Sequence, residues 1–334
     1  MPHPVNVQSA SASATATTAS SGVTLGDLIV QALTRHSSSE AFVAGDRRLT
    51  YAQVRDLLSQ YMTALARRGA GLGAGVTMLS PNMPESWIVQ AATYLLGERF
   101  TGLQALASVE DHIVVCEDAE ATVLVAPAPL EEHGRHVLTE AGSLRHLMVI
   151  SAAGGLPEGE SHGARPLDAG PATETDVAWL QYTGGTTGRP KGVMQPHRSM
   201  VQMVYAHMAD FEQPHLPRYL ASAPLTHATG LGVIPTLLRG GTVVIEQGFD
   251  PGRFGPAVHV LVTNDGGPPI RRISELTDDV WLQAFARHFF YVVRSVRATL
   301  PHMTAEGGAS STSSRVSFGV RPSAWQRPRQ CGRP

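Results

Sequence analysis

Cysteine is nearly absent: Cys116 and Cys331 are the only two in 334 residues. Two thiols so far apart make neither a disulfide framework nor a metal cluster, so a reducing, cytoplasmic setting is expected. Charged residues are also scarce, at 16%, and they nearly cancel to a formal net charge of −2. That balance excludes an overall basic field for nucleic acid or an anionic membrane and leaves any phosphate binding to local groups. Long apolar runs are missing too; the best stretch, Phe289 to Val293, has Arg287 and Arg294 on its flanks, so no bilayer-spanning segment is expected. The first 22 residues are rich in Ser, Ala and Thr but lack the basic start and apolar middle of a signal peptide. They read as a disordered tail.

What is present suits a packed core, with 43% hydrophobic residues in a chain long enough for two or three compact domains. Thr24 can cap a helix carrying Leu25, Leu28, Ile29 and Leu33 on one face, with Asp27 in its first turn. A hairpin over Ala41–Ala44 and Arg48–Leu49 turns at Gly45-Asp46, and Thr50 caps a second amphipathic helix. Pro84 starts and Gly97 stops a third helix. Buried strands are predicted at residues 76–79, 121–125, 146–150, 177–182, 219–222 and 242–245, separated by segments of crossover length. This alternation predicts an α/β fold. The glycines between Gly69 and Gly75 follow a helix and precede a strand, the reverse of the order that seats a dinucleotide pyrophosphate on a helix N-terminus.

The chemistry concentrates in Tyr182-Thr183-Gly184-Gly185-Thr186-Thr187-Gly188-Arg189-Pro190-Lys191-Gly192-Val193, directly after a predicted strand. Glycines let the backbone curl so that several N–H groups converge on an anion, threonine hydroxyls add neutral donors, and Lys191 adds a full positive charge. Thr183, Gly184, Gly185, Thr186, Thr187, Gly188 and Lys191 are therefore the candidate polyphosphate cradle. Pro190 before the lysine, and Gly192 rather than Ser or Thr after it, separate the segment from the G-x-x-x-x-G-K-[S/T] loop.

This segment resembles the phosphate-binding signature of the adenylate-forming superfamily, with Gly184 where that family more often has Ser. Further landmarks of the family stand in order: Leu49-Thr50-Tyr51, Pro81-Asn82-Met83-Pro84-Glu85, and Ala223-Pro224-Leu225-Thr226-His227-Ala228-Thr229-Gly230. The similarity runs from about Thr24 to Phe254. It implies a fatty-acid–CoA ligase that joins a carboxylate to the α-phosphate of ATP, releases pyrophosphate and passes the acyl group to coenzyme A, with magnesium. By the same resemblance His227 lies beside the acyl-adenylate pocket. Amino-acid-activating relatives place a carboxylate near Leu225–Gly230 to pair the substrate ammonium; none occurs here, which favours an uncharged acyl chain such as a fatty acid.

After Phe254 the family's adenine-closing, ribose-gripping and mobile C-terminal segments, including the adenylation lysine, do not follow. Residues Val258–Gly267, Leu276–Trp281 and a helix running to Pro301-His302-Met303 resemble the middle of a short-chain dehydrogenase, without its glycine-rich loop or Tyr-x-x-x-Lys pair, and with His288 where that family has Asn. From Glu306 on, Gly, Ser, Arg and Pro dominate and disorder is expected. The expected organisation is thus a tail over 1–22, a partial AMP-binding domain over 23–254, a dehydrogenase-like fragment over 255–305 and a tail over 306–334. An incomplete domain of this kind would leave the strand at 242–245 as an open, pairing-prone edge. A non-catalytic module that keeps only the phosphate loop is the alternative.

Overall fold

The computed structural model describes residues 22–105, 107–183, 190–211 and 214–246, the backbone of 260–263 and 309–312, and isolated positions between 277 and 297. Strands and helices alternate as the sequence predicts. Helix α1 (Leu25–Arg35) opens with a reciprocal cap: Asp27 N–H donates to Thr24 Oγ1 at 3.3 Å, and Thr24 N–H to the Asp27 carboxylate at 2.8 Å. Strands β1 (Glu40–Ala44) and β2 (Arg47–Thr50) form the expected hairpin, with Gly45 at φ +59° in its turn. Thr50 and Gln53 then cap α2 (Tyr51–Ala66) in the same reciprocal way.

Next come β3 (Gly75–Leu79) and α3 (Pro84–Leu96), the latter ended by Gly97 at φ +72°. Every residue of α3 from Pro84 to Leu95 is buried, as befits a helix held between two sheets. Strand β4 (Arg99–Leu103) was not legible in the sequence, because it starts on a charge and contains Gly102. It forms because its backbone fills the place between two parallel neighbours. Helices α4 (Val109–Asp118) and α5 (Glu131–Glu140) alternate with β5 (Ala121–Pro127) and β6 (His146–Ile150). Strand β7 (Val177–Thr183) turns back antiparallel into β8 (Lys191–Pro196), followed by α6 (His197–Asp210), β9 (Arg218–Ala221), α7 (Val233–Leu238) and β10 (Thr242–Ile245). Strands β11 (Val260–Thr263) and β12 (Ala309–Thr312) are the last strands among the described residues.

Among the described residues two six-stranded sheets result, ordered β12-β11-β9-β10-β1-β2 and β6-β5-β3-β4-β7-β8. Pairing is parallel except at β1–β2 and β7–β8. Residues of alternate parity on one strand serve different cores: Val76 and Met78 join the large cluster with α1–α3, whereas Leu79 packs with Val115, Cys116 and Val137 of α4 and α5. The middle helices therefore lie between the sheets, and α4 and α5 cover the outer face of the second.

The expected open edge at Thr242–Ile245 is corrected by this order. Strand β10 is interior, flanked by β9 and β1, and β11 and β12 extend the sheet beyond β9. Sequence order does not give spatial order in a sheet built by crossovers. Ala309–Thr312, in the stretch expected to be a tail, pairs in parallel with β11. Most of the helix expected to run to Pro301-His302-Met303 lies outside the described residues.

Two buried carboxyl groups stand out in the core. Glu85 has no exposed side-chain surface and accepts from Arg47 at 2.6 and 2.9 Å and from Gly155 N–H at 2.9 Å. Glu98 is equally buried and has no hydrogen-bond partner among the described residues; burial pushes its carboxyl up to about 9.

Candidate functional site

In open parallel sheets, ligands bind in the crevice beyond the carboxyl ends of the strands, where loops diverge and backbone groups are left for other partners. Here the loops after β3, β9 and β10 meet at that end through one side chain. Asn82 donates to Ala221 O at 3.0 Å and Glu246 O at 3.1 Å, and its Oδ1 accepts from Leu225 N–H at 3.1 Å. It thereby ties the turn before α3, in one sheet, to two strand ends of the other. Asn82 was read only as part of a landmark. Its role needs the tertiary structure, since its partners lie some 140 to 160 residues away.

The segment tied down by Asn82 carries His227. Gly102 of β4 lies against it, and a Cβ there would stand 2.5 Å from Thr226 O, so only glycine allows this approach. His227 occupies the position before a short 3₁₀ turn, Ala228–Gly232, yet its side chain does not cap that turn. Its Nδ1 instead lies 2.9 Å from Thr226 Oγ1. Burial holds the imidazole down to about 4, which leaves the ring neutral at pH 7. No carboxylate occurs between Leu225 and Gly230.

The phosphate-loop candidates sit on the β7–β8 hairpin. Phe100 of β4 pairs in parallel with Trp179 of β7, so the far end of β7 emerges on the same side as Gly102 and the His227 segment. Thr183 and Lys191 are cross-strand partners at the mouth of the hairpin, and Lys191 is exposed there. Gly184, Gly185, Thr186, Thr187 and Gly188 lie outside the described residues, as does the side chain of Thr183. The ring of Tyr182 crosses over its partner Gly192: a Cβ on Gly192 would come within 3.1 Å of Tyr182 Cζ and 3.2 Å of its hydroxyl. The Tyr182 hydroxyl donates to Asp118 at 2.6 Å, and burial together with this bond raises the phenol above its usual range. The sequence pattern contained Tyr182 and Gly192 but gave no hint of Asp118.

Lys191 and the hairpin mouth suit the phosphates of ATP by donor chemistry. For magnesium the described residues offer no group of three or more His, Cys, Asp or Glu placed to hold an ion. Among them, no helix is long and apolar enough to cross a membrane.

The sequence pattern of the family described as AMP-binding enzyme matches residues 29–265. The chain belongs to the AMP-binding enzyme family. The matched span includes β11, past Phe254. Among curated relatives, the medium/long-chain-fatty-acid–CoA ligase FadD8 of Mycobacterium tuberculosis is 36% identical over 240 residues, covering 68% of this chain and 42% of the relative. Feruloyl-CoA synthase of an Amycolatopsis species is 34% identical over 218 residues, covering 64% of this chain and 42% of its own length. This AMP-binding chain thus spans about two fifths of the length of these relatives. Its fold is similar to that of a fatty acyl CoA synthetase of M. tuberculosis, with a TM-score of 0.62 at 21% identity over 81% of this chain and 58% of the other. It is also similar to the N-terminal domain of FACL13 from the same organism, with a TM-score of 0.59 at 20% identity over 72% of this chain and 63% of that one.

Proposed function

We propose that this AMP-binding chain carries the phosphate-binding and acyl-recognition half of a fatty-acid–CoA ligase and turns over weakly or not at all on its own. The observation that carries the reading is the hairpin mouth: Lys191 opposite Thr183, at the same end of the sheet as a segment around His227 that holds no carboxylate. In such an enzyme Lys191, with Thr186 and Thr187, would meet the charge that grows on departing pyrophosphate, where preorganised donors act most strongly. His227, neutral and packed against Thr226, would border the acyl group. ATP, magnesium and coenzyme A are the co-substrates and ion this reading calls for, and a fatty acid is its substrate. The likeness of FadD8, a fatty-acid–CoA ligase by name, supports the choice of acid.

The weakness follows from what stands after about residue 255. Residues 255–334 do not carry the family's adenine- and ribose-binding patterns, and well-oriented proximity alone can supply about 7–11 kcal/mol of barrier reduction. We take residues 255–305 as a short-chain-dehydrogenase-like fragment joined to the partial ligase, although the AMP-binding match runs to residue 265 and so takes in β11. Acid-dependent exchange of labelled pyrophosphate into ATP tests the proposal. Little or no exchange is expected; robust exchange with a medium- or long-chain fatty acid, abolished by Lys191→Ala, would make the chain a working minimal ligase instead. The same divergence over residues 255–334 favours a second reading, a non-catalytic module that holds ATP phosphates. Saturable ATP binding without exchange would select it.

A further inference from the structure

We propose that the Tyr182–Asp118 hydrogen bond is a brace that positions the Lys191 end of the β7–β8 hairpin for phosphate binding. The inference rests on the phosphate reading of Lys191. Among the described residues strand β8 is the edge of its sheet, with β7 as its one neighbour there, and Lys191 to Met194 are exposed. An edge hairpin held by one ladder frays most easily at its mouth, where Lys191 pairs with Thr183. Tyr182 sits one pair inside that mouth. Its ring crosses the strand pair over Gly192, the residue next to Lys191, and its hydroxyl ends 2.6 Å from the Asp118 carboxylate. A hydroxyl-to-carboxylate bond of that length is charge-assisted and directional.

Asp118 is unfavourably placed within its own helix. It is the last residue of α4, where the helix dipole disfavours an acid, and the last turn of α4 holds no basic residue to offset it. Helix α4 is in turn packed through Val115 and Cys116 against the outer face of the sheet. The brace thus connects an edge hairpin to a helix anchored in the core. Gly192 completes the device, because its lack of a side chain admits the ring.

Calorimetric titration of the full chain with inorganic pyrophosphate tests the brace, with melting temperature measured on every variant. The contact is solvent-exposed, so Tyr182→Phe and Asp118→Ala should melt with the parent while each weakens pyrophosphate binding about fivefold to tenfold. Asp118→Asn keeps a carbonyl acceptor and should restore most of the affinity. The Tyr182→Phe/Asp118→Ala double variant should be no weaker than either single one, since both remove the same contact. If Lys191→Ala abolishes binding while Tyr182→Phe and Asp118→Ala bind like the parent, the brace is wrong and the phosphate reading stands. Additive losses in the double variant would also overturn the brace. If the parent does not bind pyrophosphate, or Lys191→Ala leaves binding unchanged, the phosphate reading fails and the brace fails with it.

Discussion

Arg47→Ala tests how the first turn of α3 is held in the core. Glu85 has no exposed side-chain surface, whereas Arg47 keeps 29% of its own. The substitution removes two of the three hydrogen bonds that Glu85 accepts and leaves its carboxylate with only Gly155 N–H. Breaking a fully buried pair from one side costs about 3–5 kcal/mol, and the partial exposure of Arg47 lets water reach the orphaned group, so about 3 kcal/mol is expected. For a domain of 150–250 residues that is a fall in Tm of about 6–12 °C. Urea unfolding followed by tryptophan fluorescence is a suitable assay, because Trp87 and Trp179 are both buried. Arg47→Lys should fall between the two, since an ammonium cannot repeat the two-pronged contact. Arg47→Met with Glu85→Met should recover most of the loss. A loss below about 1 kcal/mol for Arg47→Ala, or a double variant no better than the single one, would refute the argument that the cost lies in stranding a buried charge. Gly155 also accepts from the Tyr61 hydroxyl, so faster proteolysis within residues 151–160 should accompany the destabilisation.

Glu98 raises a pH dependence of definite sign. Its carboxyl is held up at about 9 against an ordinary 4.5, so its contribution is complete below pH 4.5 and is lost as pH rises toward 9, at about 1.4 kcal/mol per unit. His197, His207 and His227 are held down to about 4, so their contribution is present above about 6.5 and lost as pH falls through 4. Stability should therefore peak near pH 6.5, and Glu98→Gln should flatten the alkaline limb and steepen the acid limb above pH 4.5; an unchanged limb in denaturant titrations from pH 6 to 9 would count against the buried acid. Asn82→Ala leaves Leu225 N–H and the Ala221 and Glu246 carbonyls short of a bond, and should cost about 3 kcal/mol with faster amide exchange at Leu225. Gly192→Ala should cost about 1 kcal/mol and displace the Tyr182 ring, read as a shift in its ultraviolet titration.

Local structure was readable from the chain alone wherever a short-range rule governs it. Thr24 with Asp27, Thr50 with Gln53, Pro84 and Gly97 mark helix ends because caps act within one turn. The glycine, threonine and lysine signature marks its chemistry because the donors are contiguous. Strands β4 and β8 were missed for the complementary reason: their residues show no strand pattern, and only neighbours distant in sequence give their backbones partners. Strand order, which turned the supposed edge β10 into an interior strand, is likewise a product of crossovers. The same holds for the site. Residue types named Lys191 and His227, but only the packed chain could bring Asn82 onto two strand-end carbonyls and the Leu225 N–H, and Asp118 onto Tyr182, because hydrogen bonds across 64 to 164 residues leave no periodic trace in a sequence.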